Sequence, residues 1–277
     1  MNEFQKVIKY LAMGFAIFLT VTIIGGIATG IFALTGVLNG AATRGDAVDI
    51  NKSFDDITSI TIDHGVGTLK VRSGDSDKVE INAKNVSEHY TIEKSFNGTL
   101  TLKNKSRFWF WNWFDGNFKS DITVYLPEGF VAERFIIDAG AGDVNIEDLE
   151  TKELEINGGA GNIRGNNIIA HTVDIDGGVG NINFKQVVLN NTTINSGVGN
   201  VDIEGTLSGK TDIDCGVGNV DLDLKGTIDD YKIKVEKGLG NIKINGEKHS
   251  NINWNSLNAK NFMDIDGGLG DININFE

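Results

Sequence analysis

Ile156-Asn157-Gly158-Gly159-Ala160-Gly161-Asn162-Ile163 returns nineteen residues later as Ile175-Asp176-Gly177-Gly178-Val179-Gly180-Asn181-Ile182, and nineteen later again as Ile194-Asn195-Ser196-Gly197-Val198-Gly199-Asn200-Val201. The kernel is a Gly-x-Gly triplet with a small or aliphatic centre, followed by one polar and one branched aliphatic residue. Eight copies open at Gly65, Gly140, Gly159, Gly178, Gly197, Gly216, Gly238 and Gly268. From Gly140 to Gly216 the interval is 19 residues four times running; it then widens to 22 and to 30. A fixed period of this length marks an array of supersecondary units.

Short alternating stretches flank each triplet, Leu154-Glu155-Ile156 before one and Ile182-Asn183-Phe184 after another. Period-2 alternation gives each stretch one apolar and one polar face. A 19-residue unit cannot bury that face alone, whereas stacked coils build a continuous aliphatic core. The sequence therefore predicts an all-β, single-stranded parallel β-solenoid of about eight coils. The glycines are expected where the chain turns sharply, at positive φ. A dinucleotide loop is a poor match, because strands and not helices follow every copy.

Two polar rows follow from the register. Two residues before the triplets stand Asp63, Asp138, Asn157, Asp176, Asn195, Asp214, Glu236 and Asp266. Directly after them stand Thr68, Asp143, Asn162, Asn181, Asn200, Asn219, Asn241 and Asp271. The second row reads as a stacked amide ladder. In the first, Asp and Asn alternate through the central coils, which spaces the carboxylates apart, and each side chain is expected to bond its own triplet's backbone. A bound cation is the competing reading of that row.

Residues 50–126 read as an irregular, hairpin-containing start, and 127–277 as the regular coils. Within the start, Phe108, Trp109, Phe110, Trp111, Trp113 and Phe114 form an aromatic hairpin tip. Such a tip is either a contact site for membrane, protein or sugar, or a plug over the open end of the core. The insertion from Asn245 to Ala259, with Trp254 inside it, is expected to fold over the other end, since no residues follow the last strand to cap it.

The first 44 residues differ in kind. Leu11 to Leu38 contain no charged side chain, enough for a transmembrane helix over 11–38. Lys6 and Lys9 precede the run, so residues 1–10 are placed in the cytoplasm, 39–49 become a linker, and 50–277 lie outside a cell membrane. A cleaved signal peptide is the rival reading, with Ala41-Ala42 as the weak site.

The net charge of −13 argues against nucleic acid and anionic lipid as partners. The single cysteine, Cys215, excludes an internal disulfide and a Cys-based zinc cluster. His64, His89, His171 and His249 form no metal motif, and no nucleophile elbow is present. No cofactor and no small-molecule substrate is expected. The Asp176/Asp214 row keeps a polysaccharide-active enzyme as an alternative.

Three features together resemble the bacterial adhesin-type family of unknown function also called the toastrack domain, which includes LiaG-like membrane-anchored proteins. They are Phe54-Asp55-Asp56-Ile57 running on to Gly65-Val66-Gly67-Thr68-Leu69-Lys70-Val71, the Tyr125-Leu126-Pro127-Glu128-Gly129 turn, and the serial Gly-x-Gly-Asn/Asp units. The resemblance implies a β-helix-like domain, frequently tethered to the membrane and associated with envelope-stress signalling in Gram-positive bacteria. The expectation is a non-catalytic, adhesin-like scaffold of the cell envelope with a single-pass membrane anchor. The alternative from a different class is an accessory regulator that contacts a membrane sensor protein.

Overall fold

Alternating aliphatic and polar residues become strand almost everywhere in the computed structural model, which describes residues 47–104, 119–257 and 259–277. The apolar run at 11–38 and the aromatic segment at 108–114 lie outside the described residues. Among those described, no helix is long and apolar enough to cross a membrane.

Among the described residues, seventeen strands form one hydrogen-bonded sheet that coils on itself. The irregular start contributes β1 (Ala47–Phe54), β2 (Ser59–Ser73), β3 (Val79–Ser87), β4 (Tyr90–Lys94), β5 (Thr99–Asn104) and β6 (Ser120–Leu126). The regular coils follow as β7 (Val131–Ala160), β8 (Ile163–Val179), β9 (Ile182–Val198), β10 (Val201–Val217) and β11 (Val220–Leu224). A 3-10 turn at Ile228–Asp230 leads to β12 (Tyr231–Leu239), β13 (Ile242–Ile244), β14 (Glu247–His249), β15 (Ile252–Asn255), β16 (Asn261–Leu269) and β17 (Ile272–Phe276).

The 19-residue unit is not a set of separate short strands on either side of the triplet. It is one bent strand of 17 residues, interrupted only at the last glycine of the triplet and the residue after it. Pairing with the neighbouring coil continues through the bends, so Ile163, Ile169, Ile175 and Val179 of β8 meet Ile182, Val188, Ile194 and Val198 of β9. A second bend was not legible as a motif: Asp148, Asn167 and Gln186 stack there at φ 55°, 54° and 54°. These polar residues tolerate the left-handed region better than branched ones do. Asn167 also donates its Nδ2 to Asp148 Oδ1 at 2.6 Å across the coils.

The glycines answer a tighter demand than turning. Gly180 does sit at φ 144°, but a Cβ there would also stand 1.9 Å from the Gly161 carbonyl oxygen. Gly178, outside the positive-φ set, would place its Cβ 2.2 Å from the Gly159 oxygen. Backbones of successive coils touch along this corner, and only hydrogen fits between them.

Inside, aliphatic columns run along the stack. Ile156, Ile175, Ile194, Ile213, Ile265 and Val235 form one, all fully buried. Large and small residues interlock where needed: Phe184 pairs in register with Gly165, whose missing side chain leaves room for the ring.

The order of the coils departs from the order of the sequence. β10 pairs in parallel with β9 on one side and with β16 on the other, and β16 then pairs with β12. Likewise β17 lies between β11 and β13. Backbone bonds fix the order: Gly218 N donates to Leu269 O at 2.8 Å and Gly270 N to Leu239 O at 2.9 Å. The coil of Gly268 is therefore interior, and the coil of Gly238 is terminal. This corrects the expectation that the last coil in sequence ends the stack. The insertion after Asn245 does cover an end, because β14 and β15 pair antiparallel with β13 and β12, Trp254 lying opposite Ile233.

The other end is built the same way. β2, the first Gly-x-Gly coil, is flanked by β7 on one side and by β5 and β6 on the other. Antiparallel partners close that end, β3 on β6, β1 on β3 and β4 on β5. Both ends of the parallel stack are thus covered by antiparallel strands, which removes the template that an open parallel edge offers.

Candidate functional site

The outward-facing rows on either side of the Gly-x-Gly corner are the most regular surface feature. In spatial order the row before the triplets reads Asp63, Asp138, Asn157, Asp176, Asn195, Asp214, Asp266, Glu236. Its bonds run between coils, not to the triplets as expected: Asn157 Nδ2 donates to Asp138 Oδ1 at 2.8 Å and Asn195 Nδ2 to Asp176 Oδ1 at 2.6 Å. Each amide thus bridges to a neighbouring carboxylate, a stronger device than spacing alone. The same pairing recurs where only the true coil order brings the residues together, with Asn273 on Asp221 at 2.6 Å and Asn275 on Asp223 at 2.7 Å.

At the C-terminal end the row loses its amides. Asp214, Asp266 and Glu236 follow one another, beside Asp212 and Asp264. Burial, then the neighbouring carboxylates Asp212 and Asp264, pushes the Asp214 carboxyl above its ordinary range. Asp266 is raised chiefly by burial too, with Lys234 opposing and Asp264, Asp214 and Glu236 adding to the shift. Lys234 relieves part of this crowding through Asp264 at 3.1 Å and Glu236 at 3.5 Å. Among the described residues no group of three or more His, Cys, Asp and Glu is arranged to hold a metal ion.

The row after the triplets is a ladder, but of a different bond from the one expected. From Asp143 to Asp271 each side-chain oxygen accepts the backbone N–H of the matching residue one coil on. Asn162 Oδ1 takes Asn181 N at 3.1 Å, Asn181 Oδ1 takes Asn200 N at 2.9 Å, and Asn200 Oδ1 takes Asn219 N at 3.0 Å. Asn219 Oδ1 then serves Asp271 N at 2.9 Å, and Asp271 Oδ1 serves Asn241 N at 2.7 Å. The role needs an acceptor, which is why Asp143 and Asp271 can stand among asparagines. Accepting a backbone N–H holds both of their carboxyls below the ordinary range.

Between the rows runs an apolar ridge that sequence reading passed over. The central residues of the triplets stack in register as Ala160, Val179, Val198, Val217, Leu269 and Leu239. Val179, Val198, Val217 and Leu239 are 58%, 48%, 43% and 53% exposed. The signal was present as the x of every Gly-x-Gly.

Of the residues just before the triplets, His64, Ala139, Ser196 and Cys215 are buried. His64 is buried with neither ring nitrogen hydrogen-bonded, and burial pushes its pKa down, so it is a neutral core group. Cys215 is buried in the same column, and burial raises its thiol. A shallow groove of about 530 Å³ lies near the N-terminal end, lined by Arg72, Ser76, Glu80 and Tyr125 among others. The Arg72 guanidinium rests 4.9 Å from the Tyr125 ring centroid and donates to its hydroxyl at 2.9 Å. The aromatic candidates Phe108, Trp109, Phe110, Trp111, Trp113 and Phe114 lie outside the described residues.

The family model described as Toastrack DUF4097 matches residues 57–259. The chain belongs to the toastrack family. The match takes in seven of the eight Gly-x-Gly triplets and stops short of Gly268, so the interior last coil of this toastrack domain lies beyond it. Among solved structures, the domain is similar to a "putative cell adhesion protein" from Clostridium sporogenes, 18% identical, with 84% of this chain and 100% of that one covered and a TM-score of 0.30. It is also similar to a "putative adhesin" from Bacteroides fragilis, 15% identical, covering 85% of this chain and 100% of that one with a TM-score of 0.38. No curated protein matches the sequence.

Proposed function

We propose that this toastrack protein is a membrane-anchored, extracytoplasmic, adhesin-like scaffold of the bacterial envelope that makes contacts and performs no catalysis. The observation that carries the reading is the surface itself. Register-matched rows of side chains repeat coil after coil along a stack closed at both ends. Such a surface is rigid, extended and periodic, which suits the display of contacts along its length. The acid row supports the non-catalytic part. Asp176 and Asp214, the pair a polysaccharide hydrolase would need, are separated by Asn195, which occupies Asp176 with a hydrogen bond. Anchorage draws on the uncharged run from Leu11 to Leu38, and a contact at the aromatic segment draws on its three tryptophans.

The test is cross-linking of the full chain in its native membrane, with partners identified by mass spectrometry, beside a variant whose segment from Phe108 to Phe114 is replaced by Gly and Ser. Loss of an envelope partner in a still-folded variant supports the scaffold and places its contact in that segment. Recovery of a membrane sensor that is lost when residues 11–38 are exchanged for an unrelated transmembrane helix makes the protein an accessory regulator instead.

A further inference from the structure

The ridge along the Gly-x-Gly corner is flanked by complementary chemistry. On one side the ladder asparagines Asn181, Asn200 and Asn219 are exposed, and their Oδ1 atoms are occupied by backbone N–H groups of the next coil. Among the described residues their Nδ2 groups have no hydrogen-bond partner, which leaves them as donors at an exposed position. On the other side Asp176, Asp214, Asp266 and Glu236 are exposed acceptors. The ridge therefore carries a row of donors along one flank and a row of acceptors along the other.

We infer that a second copy of this chain docks ridge to ridge, with the two stacks parallel. A two-fold axis along the ridge sets each copy's ladder against the other's acid row, level by level. Asn181 then faces Asp176 of the second copy and Asn219 faces Asp214; Asn200 faces the Asn195 amide, and Asn241, whose Nδ2 already donates to Asp271 Oδ1 at 3.1 Å, has one N–H left for Glu236. One level sets Asp271 against Asp266, a like-charge contact that opposes the pairing and that the nearby Lys243 and Lys237 offset only in part. The antiparallel alternative sets acid row against acid row and is disfavoured by like-charge repulsion. The same acid row repels an anionic lipid surface.

From Val179 to Leu239 the ridge is five levels long, about 20 Å at the usual inter-strand spacing. That is small against the ~800 Å² per partner of a standard interface, so the association is weak for free chains. Tethering two copies by their N-terminal ends to one membrane strengthens it by effective concentration, and it also selects the parallel orientation. The docking surface itself does not rest on the scaffold reading, but this strengthening rests on the membrane anchor proposed above.

Cysteine cross-linking of the full chain in detergent tests it. Cys215→Ser provides the background, because Ser196 already fills the equivalent place one coil earlier. Single cysteines are then placed by V179C, V198C and V217C on the ridge and by K185C on another exposed face. The expected result is that all three ridge cysteines form disulfides between identical copies at least about tenfold faster than K185C. Cross-linking at one ridge level alone, with V179C joining V217C in mixed samples, means an antiparallel pair and overturns the proposal. Rates equal to K185C at every level also overturn it and leave a basic peptide as the fitting occupant. Sedimentation of the unaltered chain against V198D over a rising series of concentrations is independent of the cysteine background: the mean mass of the unaltered chain should climb toward the pair with concentration while V198D stays single, with an unchanged melting temperature. Equal masses at every concentration overturn the proposal.

Discussion

Val217 pairs in register with Leu269, fifty-two residues further along the chain, and Leu269 in turn separates it from Leu239, only twenty-two residues away. The last coil is thus held on both faces, and Ile265 at its centre has no exposed surface. In an end coil, Ile265→Ala would be absorbed by fraying. Here it is expected to destabilise the domain by about 3 kcal/mol, within the range for a fully buried site. Deleting residues 261–277 should abolish cooperative unfolding, where removing an end coil would leave a shorter stable stack. Thermal denaturation followed by circular dichroism checks both.

Gly180 and Gly129 both sit at positive φ, 144° and 71°, but in different surroundings. Nothing lies within 4 Å of a Cβ at Gly129, while one at Gly180 meets the Gly161 carbonyl at 1.9 Å. Gly129→Ala should cost about 1 kcal/mol, the left-handed penalty alone. Gly180→Ala should cost more than about 3 kcal/mol or prevent folding, because the coils must separate. Urea midpoints of the two variants discriminate the effects.

Asn200 Oδ1 accepts the Asn219 N–H at 3.0 Å. Asn200→Ala should therefore lose about 1 kcal/mol. Asn200→Asp keeps the acceptor and should lie within about 0.5 kcal/mol of the parent at neutral pH. A carboxylate in this ladder has its folded pKa depressed, as Asp143 and Asp271 do. The stability it contributes is present above the unfolded pKa and lost as pH falls through the folded one. The variant should accordingly weaken in acid relative to Asn200→Ala, which denaturation at a series of pH values would show.

Asp266 behaves in the opposite sense. Its folded pKa is raised, chiefly by burial, so its contribution favours the fold below the unfolded pKa and is lost as pH rises through the folded one. Asp266→Asn, which reproduces the amide already found at Asn157 and Asn195, should stabilise the domain at pH 7. The gain should vanish once Asp266 of the parent is protonated. Melting temperatures of parent and variant across that range give the comparison.

Thr192 is buried with its hydroxyl unpartnered, in the column where Val173 stands one coil away. Thr192→Val keeps the shape and removes an unsatisfied polar group, so stability should rise by about 1 kcal/mol. A fall would mean that an ordered water serves that hydroxyl, and a high-resolution crystal structure would reveal it.

The parallel coil and its rows were legible because the interval of 19 puts equivalent residues above one another without any knowledge of the turns. The swap of the last two coils was not. Pairing Asp221 with Asn273, or with Lys243 of the next coil in sequence, is chemically acceptable either way, so the local pattern does not choose. The residues between Lys225 and Lys232 decide it by leading the chain past one coil's width, and they carry no repeat. The bend at Asp148, Asn167 and Gln186 was hidden because three different residue types satisfy one backbone conformation. The ridge was in plain view at Val179, Val198 and Val217, but alternation read as core or turn gives no reason to look for an exposed aliphatic residue between two glycines.

The interior place of β16 and β17 also sets a clock. A chain delivered from its N-terminus presents the coil of Gly238 before the strands that must slide between it and the coil of Gly216. Coil-by-coil growth, the ordinary route for a repeat array, therefore halts one coil early. Until residues 261–276 arrive, the aliphatic faces of two coils wait without partners. That interval is when a newly made chain is open to proteolysis or to pairing with a neighbour, and closing it is the last act of folding.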